Sequence, residues 1–226
     1  MTDGSSMDLM EALYTTRSMR RVATTPIDID IQAAIIDAAI RAPNGGNRQD
    51  WKFLFIDDRA TMAWLGEQYR AALWPTMTST YGDTLLGHED PNSVKALAAK
   101  RILSSVRWLG DNFADVPLLL FAFTRNDQTG GSSIYPSLWS AQLVARSFDI
   151  GSTLTVLFRK PDLAELIMQR LEVPDEGWAL KGGVTFGYPL GRWGVAPREP
   201  AHEVTFRNKW GQAPGFEVRV PLWAPR

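Results

Sequence analysis

The chain is predicted to fold as one domain of interleaved helices and strands, in the α+β or α/β class. Three observations carry this expectation. Helical and strand-like patterns alternate from residue 7 to residue 189, with no internal repeat and no low-complexity linker. The run PLLLFAFT (117–124) is apolar throughout, as in a strand covered on both faces. The 226 residues, 45% of them hydrophobic, can bury a sizeable core.

Each element follows from its own pattern. MDLMEALYTT (7–16) reads as a short helix with Leu9, Met10 and Leu13 on one face. A helix follows within residues 24–43: Asp28 or Asp30 can cap it, Ile31, Ala34, Ile35 and Ala38 form the buried stripe, and Pro43 ends it. WKFLFIDD (51–58) is a strand. Residues 59–74 place Met62, Leu65, Tyr69 and Leu73 at helical spacing. Residues 75–93, which begin at Pro75 and are rich in Gly and Thr, read as a loop. Helix returns over 94–117, then the apolar strand, then a turn-rich loop, NDQTGGSS (126–133). YPSLWSAQLVARSFDIG (135–151) is a helix with few polar positions, placed deep in the fold. STLTVLF (152–158) is a short strand, 161–173 a helix with Pro161 near its start, and WALKGGVTFGYP (178–189) a strand. The tail from 190 has no helical pattern. It carries Trp193, Trp210 and Trp223 among prolines and arginines, so its apolar residues need a surface, such as a second subunit.

Composition excludes several kinds of chemistry. There is no cysteine, so disulfides, thiolate metal sites, iron–sulfur clusters and thiol catalysis are ruled out. With only two histidines, His88 and His202, no metal site is expected. A net charge of −1 gives no global pull toward nucleic acid or an anionic membrane. The longest apolar run is far short of the ~20 residues of a membrane helix, and the N-terminus lacks an apolar signal core. A soluble, cytoplasmic protein is the expectation.

Four stretches could carry chemistry. TRSMRR (16–21) puts Arg17, Arg20 and Arg21 around Ser18, either as an anion site or as a solvated basic turn. PNGGNRQDW (43–51) offers Asn44, Asn47 and Gln49, each both donor and acceptor, around two glycines that let a ligand approach the backbone. It also reads as an Asn-Gly turn. GSTLTVLF (151–158) places small hydroxyl residues at the end of a core strand. APREP (196–200) stiffens the backbone around Arg198.

Taken in this order, the four stretches resemble the nitroreductase family of flavoproteins, over about residues 7–210. The insertion before the central apolar strand resembles its actinobacterial-type branch. The resemblance implies an α+β, nitroreductase-like fold: a central, mainly antiparallel sheet flanked by helices, in an intertwined homodimer. Residues 62–112 would be an inserted helical lid and 190–226 an arm wrapping the partner subunit. It implies bound FMN, reduced by NADH or NADPH, that passes electrons by ping-pong exchange to a nitroaromatic, a quinone or a similar small acceptor. Arg17, Ser18 and Arg20 would hold the phosphate and ribityl chain, with Arg198 closing on the phosphate. Asn44 and Asn47 of the second subunit would meet the polar edge of the ring, supported by Gln49. Leu154, Thr155 and Val156 would lie against the ring. No side chain is required as an acid, base or nucleophile. Tyr69, Trp74, Met77, Tyr81 and Trp108 of the insertion would roof the site, or simply pack its helices. Arg70 and Arg107 would attract anions, or lie on solvated faces.

The sequence departs from the family pattern at Thr16, Asn44, Asp50 and Ala196; Thr16 and Ala196 stand where relatives commonly carry basic residues, which thins the phosphate site and leaves Arg21 or Arg192 to compensate. The same fold also serves reductive dehalogenation, alkene reduction and oxygen-dependent oxidation, and a flavin-binding protein without turnover is a further alternative.

Overall fold

The computed structural model describes residues 7–86, 90, 92–125 and 131–224, without the side chains of 80, 81 and 83–86. His88, the Tyr81 side chain and residues 126–130 of the turn-rich loop therefore lie outside the described residues. Among the described residues, six α-helices and four strands follow in the order α1 (Leu9–Thr15), α2 (Ile29–Ala39), β1 (Trp51–Ile56), α3 (Arg59–Leu86), α4 (Val94–Asp111), β2 (Leu118–Arg125), α5 (Ile134–Ser147), β3 (Gly151–Thr155), α6 (Pro161–Arg170) and β4 (Trp178–Gly187). The sheet has the order β1-β2-β4-β3, and every pairing is antiparallel.

Period-two alternation on β2 divides the core. Leu119, Phe121 and Phe123 face a cluster with Met62, Leu65, Tyr69, Leu109, Phe113, Phe158 and Ile167. Leu118, Leu120 and Ala122 face a second cluster with Ile31, Ile35, Leu138, Ala141 and Ala145. The sheet is thus covered on one face by α3, α4 and α6 and on the other by α2 and α5, which is why β2 is apolar at every central position. Near 25 cal/mol per Å2, the four wholly buried phenylalanines, Phe113, Phe121, Phe158 and Phe186, each contribute about 2–3 kcal/mol.

Helix starts follow from local chemistry. Asp8 Oδ1 accepts from Met10 N at 3.2 Å, Asp58 Oδ2 from Thr61 N at 2.7 Å, and Ser93 Oγ from Ala96 N at 3.1 Å. Asp28 sits at the cap position of α2 but makes no such bond. The buried side of α2 is also rotated from the expected stripe. Gln32 and Ala39 are buried with Ile31 and Ile35, while Ala34 and Ala38 are only half-buried. Gln32 tolerates this because its Nε2 donates to Ile27 O at 2.9 Å.

One expectation fails. The helix begun at Arg59 does not stop at Pro75 but runs on to Leu86. Pro75 removes one backbone donor and faces solvent. One residue on, the Thr76 hydroxyl donates to Ala72 O at 2.8 Å. Leu73 and Met77, on the other side of the proline, hold the helix against the core. Smaller differences fall at element ends: α4 stops at Asp111, and Leu157–Arg159 form a 3-10 turn after β3. Among the described residues from 190 onward there is no helix or strand.

A buried arginine ties α1, α5 and the tail together. Arg146 Nε donates to Thr15 Oγ1 at 2.9 Å, and the guanidinium pairs with Asp149 at 2.9 Å and Glu11 at 3.2 Å. It also lies 4.0 Å from the centre of the Trp193 ring.

Candidate functional site

The stretch 17–22 lies on the β3 edge of the sheet. Ser18 bridges Ser152 and Val22 bridges Pro189, while Met19 N donates to Ser152 O at 2.9 Å and Ala23 N to Tyr188 O at 2.8 Å. Two glycines permit this approach. A Cβ on Gly151 would come within 2.7 Å of Met19 Cβ, and one on Gly187 within 2.7 Å of Val22 Cβ.

The arrangement points Arg20 into a pocket of about 240 Å3. Tyr69, Leu73, Met77 and Val106 line it from α3 and α4, Thr153, Leu154 and Thr155 from β3, and Val156, Leu157 and Lys160 from the following turn. Among the described residues, no carboxylate lines it. Burial lowers the pKa of Arg20 from its usual range, with Tyr69 acting weakly in the opposite sense. Burial likewise raises Tyr69, opposed by its hydrogen bond to Thr155. Thr155 Oγ1 also accepts from Leu157 N at 3.3 Å. The Thr153 hydroxyl, two residues back on the same face, is buried with no hydrogen-bond partner. A cation without a counter-carboxylate and an orphaned hydroxyl in one cavity suit a polar, electron-rich ligand.

A second pocket adjoins at Arg20, lined by Arg17, Ser18, Met19, Arg20, Arg21, Ser105 and Gly191. It has the donors of a phosphate site. Arg17 is steadied by its own Nη2 bond to Arg192 O at 2.8 Å. Arg21 thus lines this pocket, whereas Arg192 meets Arg17 through its backbone carbonyl. Arg198 is exposed, and its Nη1 donates to Pro197 O at 2.8 Å.

The amide loop lies elsewhere. It precedes β1, at the opposite edge of the sheet from β3. Three inter-strand spacings of roughly 4.8 Å put the two edges about 14 Å apart. Its backbone is strained: Gly46, Asn47 and Gln49 have φ of 60°, 51° and 52°. Asparagine tolerates this region, while Gln49 in it costs of order 1–2 kcal/mol. Asn44 Oδ1 accepts from Gln49 N at 2.9 Å, Gln49 Nε2 donates to Asn47 Oδ1 at 3.3 Å, and Arg48 pairs with Asp50 at 2.6 Å. The loop is a built, outward-facing display of amides. Beside it, Ile29, Ile36, Ile40, Trp51, Phe53 and Phe55 help to line a groove of about 570 Å3 along the unpaired edge of β1.

One chain therefore brings Arg17, Ser18, Arg20, Leu154, Thr155, Val156 and Tyr69 together, and leaves Asn44, Asn47 and Gln49 at the far edge. Of the other insertion aromatics, Trp74 lies 5.3 Å from the Arg107 guanidinium, and neither it nor Trp108 lines the pocket. Sequence reasoning missed Thr153, Lys160 and Ser105. For Thr153 a signal existed: alternation along GSTLT puts Thr153 and Thr155 on one face, and Leu154 packs with the opposite cluster.

No curated protein matches the chain. Three of the solved structures that share its fold illustrate the likeness. They are a nitroreductase with bound FMN from Desulfitobacterium hafniense (21% identity, TM-score 0.62, 90% of this chain and 100% of that one), an FMN-dependent nitroreductase from Clostridium difficile (16%, 0.65, 89% and 100%), and a protein assigned as an NADH oxidase from Clostridium acetobutylicum (13%, 0.62, 88% and 99%). Residues 13–188, which hold every strand, both cationic pockets' arginines and the amide loop, match the Nitroreductase family, and the chain belongs to that family.

Proposed function

We propose that this chain is an FMN-dependent oxidoreductase of the cytoplasm, working as a homodimer. It would pass electrons from NADH or NADPH to a small flat acceptor such as a nitroaromatic or a quinone. One observation carries the reading: Arg20 and the orphaned Thr153 hydroxyl share a carboxylate-free pocket that runs into the Arg17–Ser18 pocket. The two together suit a flat polar ring joined to a phosphate. The long α3–α4 insertion supports placement in the actinobacterial-type branch.

FMN, when bound, would supply the two-electron chemistry, and the chain's residues would bind, orient and exclude water. Arg17, Ser18 and Arg20 would hold the phosphate and ribityl chain, with Arg21 beside them and Arg198 approaching from the tail. Leu154, Thr155 and Val156 would lie along the ring, Thr155 with its hydroxyl already oriented by Leu157 N and Tyr69. Tyr69, Leu73, Met77 and Val106 would form a mostly apolar roof suited to stacking a nicotinamide and then an acceptor in turn. Trp74, Tyr81 and Trp108 would join it only by a movement of the lid. Asn44 and Asn47, held by Gln49, would come from the second chain, because in one chain they stand at the opposite sheet edge.

The dimer reading has independent physical support. Leu9, Met10 and Leu13 of α1, Trp139 of α5, and Val204, Phe206, Trp210, Val220 and Leu222 of the tail are all exposed in the single chain. Such large apolar side chains, exposed on α1, α5 and the tail, suit an interface. A tail crossing onto a second copy would cover them.

A visible spectrum of the purified protein with FMN under nitrogen, before and after one equivalent of NADPH or NADH, tests the proposal. Bound-flavin bands that bleach are expected. Bands that persist would sink the reductase reading, and no bound flavin would sink the site.

A further inference from the structure

Beyond the phosphate pocket the cationic surface continues. A pocket of about 450 Å3 opens on α4, lined by Arg21, Leu97, Lys100, Arg101, Ser104 and Ser105. It shares Arg21 and Ser105 with the pocket of Arg17, Ser18 and Arg20. The two adjoin at these residues, with Arg17, Arg20, Arg21, Lys100 and Arg101 along them. Among the described residues, no carboxylate lines either part. In a chain of net charge −1, such segregation of cations is a local feature, not a reflection of composition.

Arg21 joins the two halves in a fixed pose. Its Nη2 donates to Ser104 Oγ at 2.7 Å and reaches Ser104 O at 3.5 Å, which clamps the 17–22 segment to α4. Helical spacing puts Leu97, Lys100, Arg101 and Ser104 on one face of α4, so the lining is set by the helix rather than by a loop. The pocket is much larger than one phosphate needs and falls within the roughly 300–1,000 Å3 range of small-molecule sites. Its contents match a nucleoside phosphate: cations for the phosphate, serine hydroxyls for a sugar, and Leu97 for the face of a base.

We propose that this annex binds the phosphate-bearing nucleoside end of an adenine dinucleotide whose other end reaches the Arg20 pocket. The inference rests on the flavin reading above, which supplies the ring end. Two sources share this chemistry. One is the nicotinamide donor, its adenosine phosphates lying on Lys100 and Arg101, which favours NADPH over NADH. The other is FAD, whose adenylate extends past the flavin phosphate.

Calorimetric titration distinguishes them, using the full chain, Lys100→Ala and Arg101→Glu. Both substituted positions are exposed and belong to neither the ring pocket nor the flavin-phosphate pocket. If the donor is the source, FMN-loaded protein binds 2′,5′-ADP, and Arg101→Glu weakens that binding by roughly tenfold or more while FMN affinity stays unchanged. If FAD is the source, flavin-free protein binds FAD more tightly than FMN, and Arg101→Glu removes the difference. FMN that binds normally, with no 2′,5′-ADP binding and no FAD advantage, would overturn the annex and spare the flavin reading. Failure of the unmodified chain to bind FMN or FAD would overturn both.

Discussion

The two edges of the sheet are opposites. At the β3 edge the chain returns on itself: residues 17–22 close the edge, glycines let them in, and arginines gather over two adjoining pockets. At the β1 edge none of the described residues of the same chain pairs. A bare strand runs beside an apolar groove, headed by a strained loop of exposed amides. Exposed strand edges are normally blunted by charge or covered. Here the edge carries Phe53, Phe55 and a loop with positive φ at Gly46, Asn47 and Gln49. The first edge is finished and the second is made to meet something. If the two are complementary halves of one site, a second copy of the chain is the simplest way to join them.

Breaking the finished edge has the largest expected effect. Arg20→Ala removes the one cation, among the described residues, that lines both the ring pocket and the phosphate pocket. Losing one partner of a desolvated charge contact costs about 2–5 kcal/mol, so FMN affinity should fall by roughly two to three orders of magnitude. Flavin fluorescence titration measures it. A change below threefold would show that the arginine serves packing alone.

Breaking the unfinished edge tests whether the halves belong together. Asn47→Leu should release flavin and leave the fold standing, at a local cost of about 1 kcal/mol for a leucine in the left-handed region. The sharper form mixes chains. In a two-chain site, co-expressed Arg20→Ala and Asn47→Leu chains, each flavin-free alone, form mixed dimers with one intact site. With random pairing, about a quarter of all sites recover flavin. Recovery absent from mixed dimers isolated by two affinity tags would place both residues in the same chain's site or in none.

A smaller effect is expected from the tail. Trp210 is 91% exposed in the single chain and touches Phe206 at 4.7 Å between ring centres. Trp210→Ala should change the stability of one chain by only about 0.5 kcal/mol. If the tail crosses to a second copy, the same change should weaken dimerisation by about 2 kcal/mol or more, since buried interface tryptophans are common hot spots. Analytical ultracentrifugation across a dilution series separates the two cases.

What the sequence made legible follows the same divide. β2 was readable because a strand covered on both faces must be apolar at consecutive positions. The arginine motif and the amide loop were readable because they combine unusual residue types within a few positions. The continuation of α3 was not readable, because proline ordinarily signals a stop. Its continuation rests on core contacts of Leu73 and Met77 that exist only in three dimensions. Arg146 went unnoticed inside an apolar helix for a related reason. Its partners Glu11, Thr15 and Trp193 lie far away in sequence. The α4 pocket was invisible because only the fold brings Arg21 onto Ser104, beside Lys100 and Arg101.

The smallest expected effect concerns Tyr69, which belongs to the finished edge yet is more core than roof. Its ring stacks on Phe113 at 4.5 Å, and its hydroxyl meets Thr155 in the pocket. Tyr69→Phe should cost no more than about 1 kcal/mol at neutral pH, through loss of the hydroxyl's interaction with Thr155. Burial, the main cause, holds the folded-state pKa above the ordinary 10.0. In alkali the unfolded chain therefore loses this proton first. The folded state gains full benefit from the neutral phenol below about pH 10 and loses it progressively as the pH climbs through the raised value. Urea unfolding from pH 8 to 11 should thus show the gap between wild type and Tyr69→Phe narrowing above pH 10, because the variant has no phenol to ionise. A gap that stays constant would mean that the hydroxyl reaches solvent through the pocket, and that the roof over the Arg20 cavity is open rather than closed.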